Sequence, residues 1–349
     1  MAIDDLLEEL CGVHGVSGYE ENIREIIRTK IEKSADEIVV DSMGNLLVWF
    51  NGRSDKRVMF AAHMDEKGFC VNRIRDNGLI EFSGITEVDV RGLPAQVLEI
   101  LTKKGIVKGL VDAKLSFHKV DKPVEMDDLL IDIGAKTKEA VLKTGVDVGN
   151  PIAFEKGFYH FENDVVVSKA LDNRAGIAAI LKALQSLKQK PYTIVFAAVV
   201  QEEVGKRGAP VAASKVKPDA AVVVDIMNMD VLTMSSASFR SSHDLSRSLL
   251  GNGPMLEITP YTTASLRDKI IQLAKDANIP HQVTSAMLVG TDAEPIQRSL
   301  EGVATASMDI PVLHFHTPKL MACTKDVDNT AALLRLIMED KQLLALGKA

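Results

Sequence analysis

Apolar and polar positions follow two different periods along this chain, and the period changes twice. The opening stretch, MAIDDLLEEL, carries its apolar residues at helical spacing. A Gly-rich turn from Gly12 to Gly18 separates it from a second helix predicted over about 19–35. EIVVDSMGNLLVWFNG then alternates on period two and breaks at Met43-Gly44, as a hairpin does. RVMFAAHMDE is a short apolar run that ends abruptly in polar residues, the pattern of a central strand buried on both faces.

From about Lys67 to Glu162 the texture changes. Short runs such as AQVLEILT and IVKGLVDA are separated by Gly, Pro and charged turns, and KTKEAVLKTG is the one short helical pattern. After that, strand-like and helix-like segments alternate. Residues 172–188 read as a helix, YTIVFAAVV and AAVVVDI as buried strands, and SLRDKIIQLAKDA as an amphipathic helix ending before Pro280. GTDAEPIQRSL opens another helix, VATASMDI is a strand, and a closing helix begins at about Asp328. Strands alternating with helices imply an α/β fold with a mostly parallel sheet flanked by helices. The β-rich stretch interrupts that layout, so it is expected to be an insertion: 1–66 and 165–349 form one discontinuous domain, and 67–164 a small β-barrel-like one.

Composition narrows the function classes. The chain has 349 residues, which suggests about two domains at roughly 150 residues each. Its 46% hydrophobic and 26% charged residues suit a globular protein with a sizeable core. A formal net charge of -7 disfavours a polyanion binder, so no nucleic-acid partner is expected. No apolar run reaches about 18 residues, and the acidic N-terminus is unlike a signal peptide. No membrane partner is expected, and the expected location is the cytoplasm. Three widely spaced cysteines, Cys11, Cys70 and Cys323, read as buried free thiols rather than a disulfide or zinc framework.

The chemistry lies where the strands end. His63 and Asp65 follow one buried strand, Glu202 and Glu203 a second, and Asp225 ends a third. In open parallel sheets, ligands bind outside the carboxyl ends of the strands. Asp172, at a helix start, and the His314–His316 pair supply further candidates. Each has an ordinary alternative. Asp172 could cap its helix, Glu202-Glu203 could be a solvated pair, and Asp225 could end its strand in a turn. His14, His118, His160, His243 and His281 show no partner pattern. Convergence favours the functional reading: imidazoles and carboxylates in this ratio suit zinc, cobalt or manganese better than calcium. If the Glu202-Glu203 stretch is extended, its neighbouring side chains point to opposite sides. One could then ligate metal while the other faces water.

The ordered set AAHMDEKGF, LLIDIGAKTKEAV with VDVGNPIAF, KALDNRAG, QEEVGKRGA, LGNGP, GTDA and the HTP of HFHTP resembles the dinuclear metallo-aminopeptidases of the glutamyl, deblocking and tetrahedral aminopeptidase group. Some members carry the name endoglucanase or cellulase M. The resemblance spans essentially the whole chain. His63 and Asp172 lie 109 residues apart, with the β-rich stretch between them. That is the position of the extra domain in this group, whereas the related carboxypeptidase-type enzymes carry theirs later.

The resemblance implies a phosphorylase/hydrolase-like metallopeptidase core and two divalent ions per subunit, zinc or cobalt, with manganese a third option. His63 and Asp225 would hold one ion, Glu203 and His316 the other, and Asp172 would bridge. Glu202 would be the general base and Asp65 would orient His63. The implied activity is hydrolysis of the N-terminal peptide bond of short peptides. Self-association through the inserted domain, from dimer up to dodecamer, is implied too. The alternatives are a silent or substrate-shifted assembly protein and a glycosidase. Adjacent carboxylates do not by themselves span a glycosidic bond. A serine hydrolase is disfavoured because GVSG, around Ser17, lacks the GxSxG spacing. The chain also departs from the group. Leu313-His314 stand where the group has Arg-Tyr, and an acidic residue is replaced in PKLM. IMNMDVLTMSSASFR follows Asp225, and Val289 stands at the first Gly of Gly-Gly-Thr-Asp. These positions bear on the substrate pocket rather than on the ligands.

Overall fold

The computed structural model describes residues 2–112, 124–229, 249–285 and 290–345. Most of the stretch after Asp225, together with His118, His243 and Val289, lies outside these residues. Two helices open the chain, α1 (Ile3–Cys11) and α2 (Glu21–Ile31). Their apolar stripes, Leu6, Leu7 and Leu10 on one and Ile23, Ile27 and Ile31 on the other, are buried. The hairpin β1 (Glu37–Val40) and β2 (Leu46–Phe50) follows, with register Val40↔Leu46. Strand β3 (Arg57–His63) is buried from its second residue to its last.

The chain then leaves this sheet. Strands β4 (Phe69–Ile74), β5 (Ile80–Gly84), β6 (Val97–Thr102), β7 (Gly105–Asp112), β8 (Leu130–Asp132) and β9 (Pro151–Phe154) close into an antiparallel barrel. The short helix α3 (Lys138–Thr144) lies between β8 and β9, capped by the Thr137 side chain and ended by Gly145 in the left-handed region. Phe69 is buried in the barrel core, meeting Phe82 and Phe154 edge-on at 5.3 and 5.5 Å.

The main sheet resumes with β10 (Phe158–His160) and β11 (Val165–Ser168). β10 falls within 67–164, yet it hydrogen-bonds to β11 rather than to a barrel strand. Helix α4 (Leu171–Gln185), β12 (Thr193–Val199), α5 (Gly208–Val216) and β13 (Ala220–Asn228) come next. They are followed by β14 (Met255–Glu257), α6 (Ala264–Asp276), β15 (Gln282–Thr284), α7 (Ala293–Gln297), β16 (Ala304–Leu313), β17 (Leu320–Cys323) and α8 (Thr324–Glu339). α8 begins before Asp328, at the end of the β17 run.

The sheet order is β1-β2-β12-β3-β13-β16-β17-β11-β10, with β14 and β15 off the main path. The four central strands, β12, β3, β13 and β16, are parallel, and antiparallel strands finish both edges. Both faces are buried. Phe60, Phe196 and Val222 face the core under α1, α4 and α8. Their neighbours Met59, Ala61, Val195 and Val223 face α5 and α7. Ala209, Ala212 and Ala213 let α5 lie close on that second face. All three cysteines are free, but Cys70 is only half-buried, because it stands on a barrel strand.

A buried polar joint ties the barrel to the sheet. His14 meets Glu99 of β6 at 2.5 Å. Glu66 accepts from Lys169 at 2.6 Å and from the Gly15 N–H at 2.8 Å. His14 thus has a structural partner, far along the chain, that no local pattern announced.

Candidate metal centre

The centre forms where the parallel strands end. His63 is the last residue of β3, between β12 and β13. β13 pairs with β3 only as far as Val223↔Ala61, but continues alongside β16 to Asn228. Asp225 therefore lies inside its strand rather than at its end. The β3 side of β13 opens two residues earlier, and this frees the Asp225 carboxylate toward His63. Asp172 is not a helix cap either. Residue 170 holds the cap position, and Asp172 and Asn173 have non-helical backbone angles within the first turn of α4. The Asn173 side chain accepts from the Gly176 N–H at 3.0 Å and does the capping.

His63 is held from both sides. Its Nε2 lies 3.1 Å from Asp172 Oδ1 and 3.7 Å from Asp225 Oδ1. Its Nδ1 lies 3.3 Å from Asp65 Oδ1 and 3.2 Å from the Asp65 carbonyl. A carboxylate behind an imidazole in this way fixes the ring's orientation. Asp65 does more than sequence indicated. It accepts from Ser17 Oγ at 2.6 Å and from the Glu202 and Glu203 N–H groups at 3.1 and 3.2 Å. Ser17, set aside as a nucleophile, is thus a support for this carboxylate.

Glu202 and Glu203 are not on extended backbone. Gln201 is in the left-handed region at φ 57°, and the N–H groups of Gly205 and Lys206 both donate to the Glu202 carbonyl. The chain turns there because it must pass from β12 into α5. Both carboxylates still line one cavity of about 400 Å³, together with His63, Asp172, Asp225 and His316. His316 comes from the loop between β16 and β17, with φ 59°, and Phe315 stacks on its ring at 3.6 Å. The barrel helps to place this loop, since the Asp89 N–H donates to the His316 carbonyl at 3.0 Å.

Among the described residues, two groups offer ligand atoms within 4.8 Å of one another: His63, Asp172 and Asp225, and Asp172, Glu203 and His316. Asp172 belongs to both. Glu202 and Asp65 belong to neither, and the exposed His314 also stays outside.

The electrostatics fit divalent cations. Burial pushes Glu203 up to about 8, with the Asp172 charge adding to it, and pushes Glu202 well above the carboxylate range. Burial alone would depress His63, yet its hydrogen bonds to Asp172, Asp225 and Asp65 hold it well above the ordinary imidazole value. Burial and then the Lys67 charge push His316 down to about 4, so it is a neutral donor. Glu203 Oε1 is buried without a hydrogen-bond partner. Crowded buried carboxylates, an orphaned oxygen and two imidazoles form a donor set of the kind divalent transition metals take.

Lys67 is the residue that sequence reasoning passed over. It stands in the AAHMDEKGF run, but nothing in its spacing said that its ammonium would ion-pair with Glu203 inside the cavity.

With this geometry in hand, comparison with known proteins is specific. A family model described as M42 glutamyl aminopeptidase matches residues 44–333. A curated putative aminopeptidase of Acetivibrio thermocellus is 36% identical, covering 95% of this chain and 96% of the relative. Among solved structures, an aminopeptidase of the archaeon Desulfurococcus kamchatkensis superimposes with a TM-score of 0.92 at 27% identity, covering 99% of this chain and 98% of that one. Pyrococcus horikoshii TET1 peptidase, described as assembling into a tetrahedron or a large octahedral shell, gives 0.85 at 28% identity, covering 97% and 99%.

Proposed function

The chain belongs to the M42 glutamyl aminopeptidase family and is a metal-dependent aminopeptidase, and we propose that His63 and Asp225 hold one divalent ion, Glu203 and His316 a second, and Asp172 both. The sharing of Asp172 between two compact ligand groups carries this reading. Zinc or cobalt suits the mixed imidazole and carboxylate donors best, with manganese third. Bound ions at such a centre polarise the scissile carbonyl and acidify a water molecule.

The chain's own residues supply the rest. Glu202 lines the cavity but lies outside both ligand groups. It takes a proton from the attacking water and returns it to the leaving amine. Burial raises its carboxyl, which brings its proton affinity closer to that task at neutral pH. Asp65 keeps two parts in register: it orients His63 from behind and grips the backbone of Glu202 and Glu203. The substrates we propose are short peptides with a free N-terminus. Their α-amino group would be recognised by the carboxylates of the cavity.

A peptide library assayed with zinc, cobalt and manganese, with Glu202→Gln in parallel, tests the reading. The wild-type protein should release N-terminal residues. The variant should keep its metal content and lose about two to four orders of magnitude in rate. Unchanged turnover in the variant would remove Glu202 from its role. Loss of metal along with activity would make it a ligand instead.

A further inference from the structure

Lys67 brings a fixed positive charge into the half of the centre built from Asp172, Glu203 and His316. It follows β3 by four residues, and its side chain is 10% exposed against 5% for Glu203. Its ammonium donates to Glu203 Oε2. Lys67 lines the same cavity as the other two members of that group, Asp172 and His316. The same three residues would surround the second ion. By contrast, among the described residues no ammonium or guanidinium pairs with Asp225, whose ion-pair partner is His63.

Lys67 holds only Oε2 of Glu203, and Oε1 is open to an ion, but the ammonium would then sit a few ångströms from that ion. Like charges a few ångströms apart repel strongly wherever water is excluded. We propose that Lys67 is a built-in competitor for the second ion: it neutralises Glu203 while that half of the centre is empty, and its charge opposes an ion entering there. This rests on the ligand assignment proposed above.

The side chain has a place to go. Lys67 lines the open 400 Å³ cavity, and Glu87 is another carboxylate of its lining. Its Nζ is already 5.9 Å from the centroid of the Phe315 ring, a face that favours a cation. Relief of that repulsion takes a swing of one flexible side chain within the cavity, away from Glu203 Oε2. Binding is therefore stepwise. The His63, Asp172 and Asp225 half fills first, and the second half fills at higher metal concentration.

Zinc binding to the metal-stripped full chain, followed by calorimetry and by metal counting after equilibrium dialysis, tests this. Lys67→Met keeps the length and removes the charge; Lys67→Arg keeps the charge. In the wild-type protein the second ion should bind more weakly than the first. Lys67→Met should tighten the second step by about tenfold or more and leave the first unchanged, while Lys67→Arg should retain the weak second step. Equal second-step affinities in wild-type and Lys67→Met would overturn the proposal while leaving the two-ion centre intact. A single ion per subunit in all three proteins would overturn both. Should Lys67→Met not fold, Lys67→Gln replaces it with the same expectation.

Discussion

At the scale of single residues, burial decides the chemistry more than identity does. Glu20 is an example outside the metal ligands. It is buried, accepts from the Gly18 N–H at 2.8 Å and from the Gln201 N–H at 3.3 Å, and so braces the turn that carries Glu202. Burial pushes its carboxyl up to about 7. A folded-state value above the unfolded one means that the folded chain holds this proton more tightly. The corresponding stability is present below about pH 4.5 and is lost as the pH rises toward 7. Urea unfolding from pH 4 to 8 should therefore show Glu20→Gln gaining on the wild-type protein through that window. Parallel curves would remove Glu20 as the cause. The sequence named His63, Asp172, Glu202, Glu203, Asp225 and His316 as candidates, and these six line one cavity. It did not reveal Ser17 or Lys67, because side-chain direction beyond a strand end follows no period.

At the scale of elements, the hydrophobic pattern was legible wherever an element was long or buried on both faces. β3, β12 and β13 read as continuous apolar runs because helices cover both sides of the sheet. The Glu202-Glu203 segment misled, since an extended and a turned backbone suit the same polar residues equally well. In the barrel, short strands carry weak patterns, and the core depends on a few large residues. Phe69 is fully buried between Phe82 and Phe154. Phe69→Ala should cost about 3–5 kcal/mol, because the flanking rings cannot collapse into the space left. Denaturant unfolding measures this. A loss under about 1 kcal/mol would mean that the barrel repacks around the gap.

At the scale of the whole molecule, the barrel interrupts the main sheet between β3 and β10 and contributes to the centre through Asp89, which holds the His316 loop. The sequence by itself determined the alternation of strands and helices, the interrupting β-rich stretch and the residue types at the strand ends. These are local properties, set by periodicity and by where apolar runs stop. Only the tertiary structure decided which of those residues meet. Asp172 faces His63 across 109 positions of chain, and Lys67 reaches Glu203 across 136. Such contacts depend on sheet order, register and burial, which arise when the whole chain packs and which no segment encodes alone.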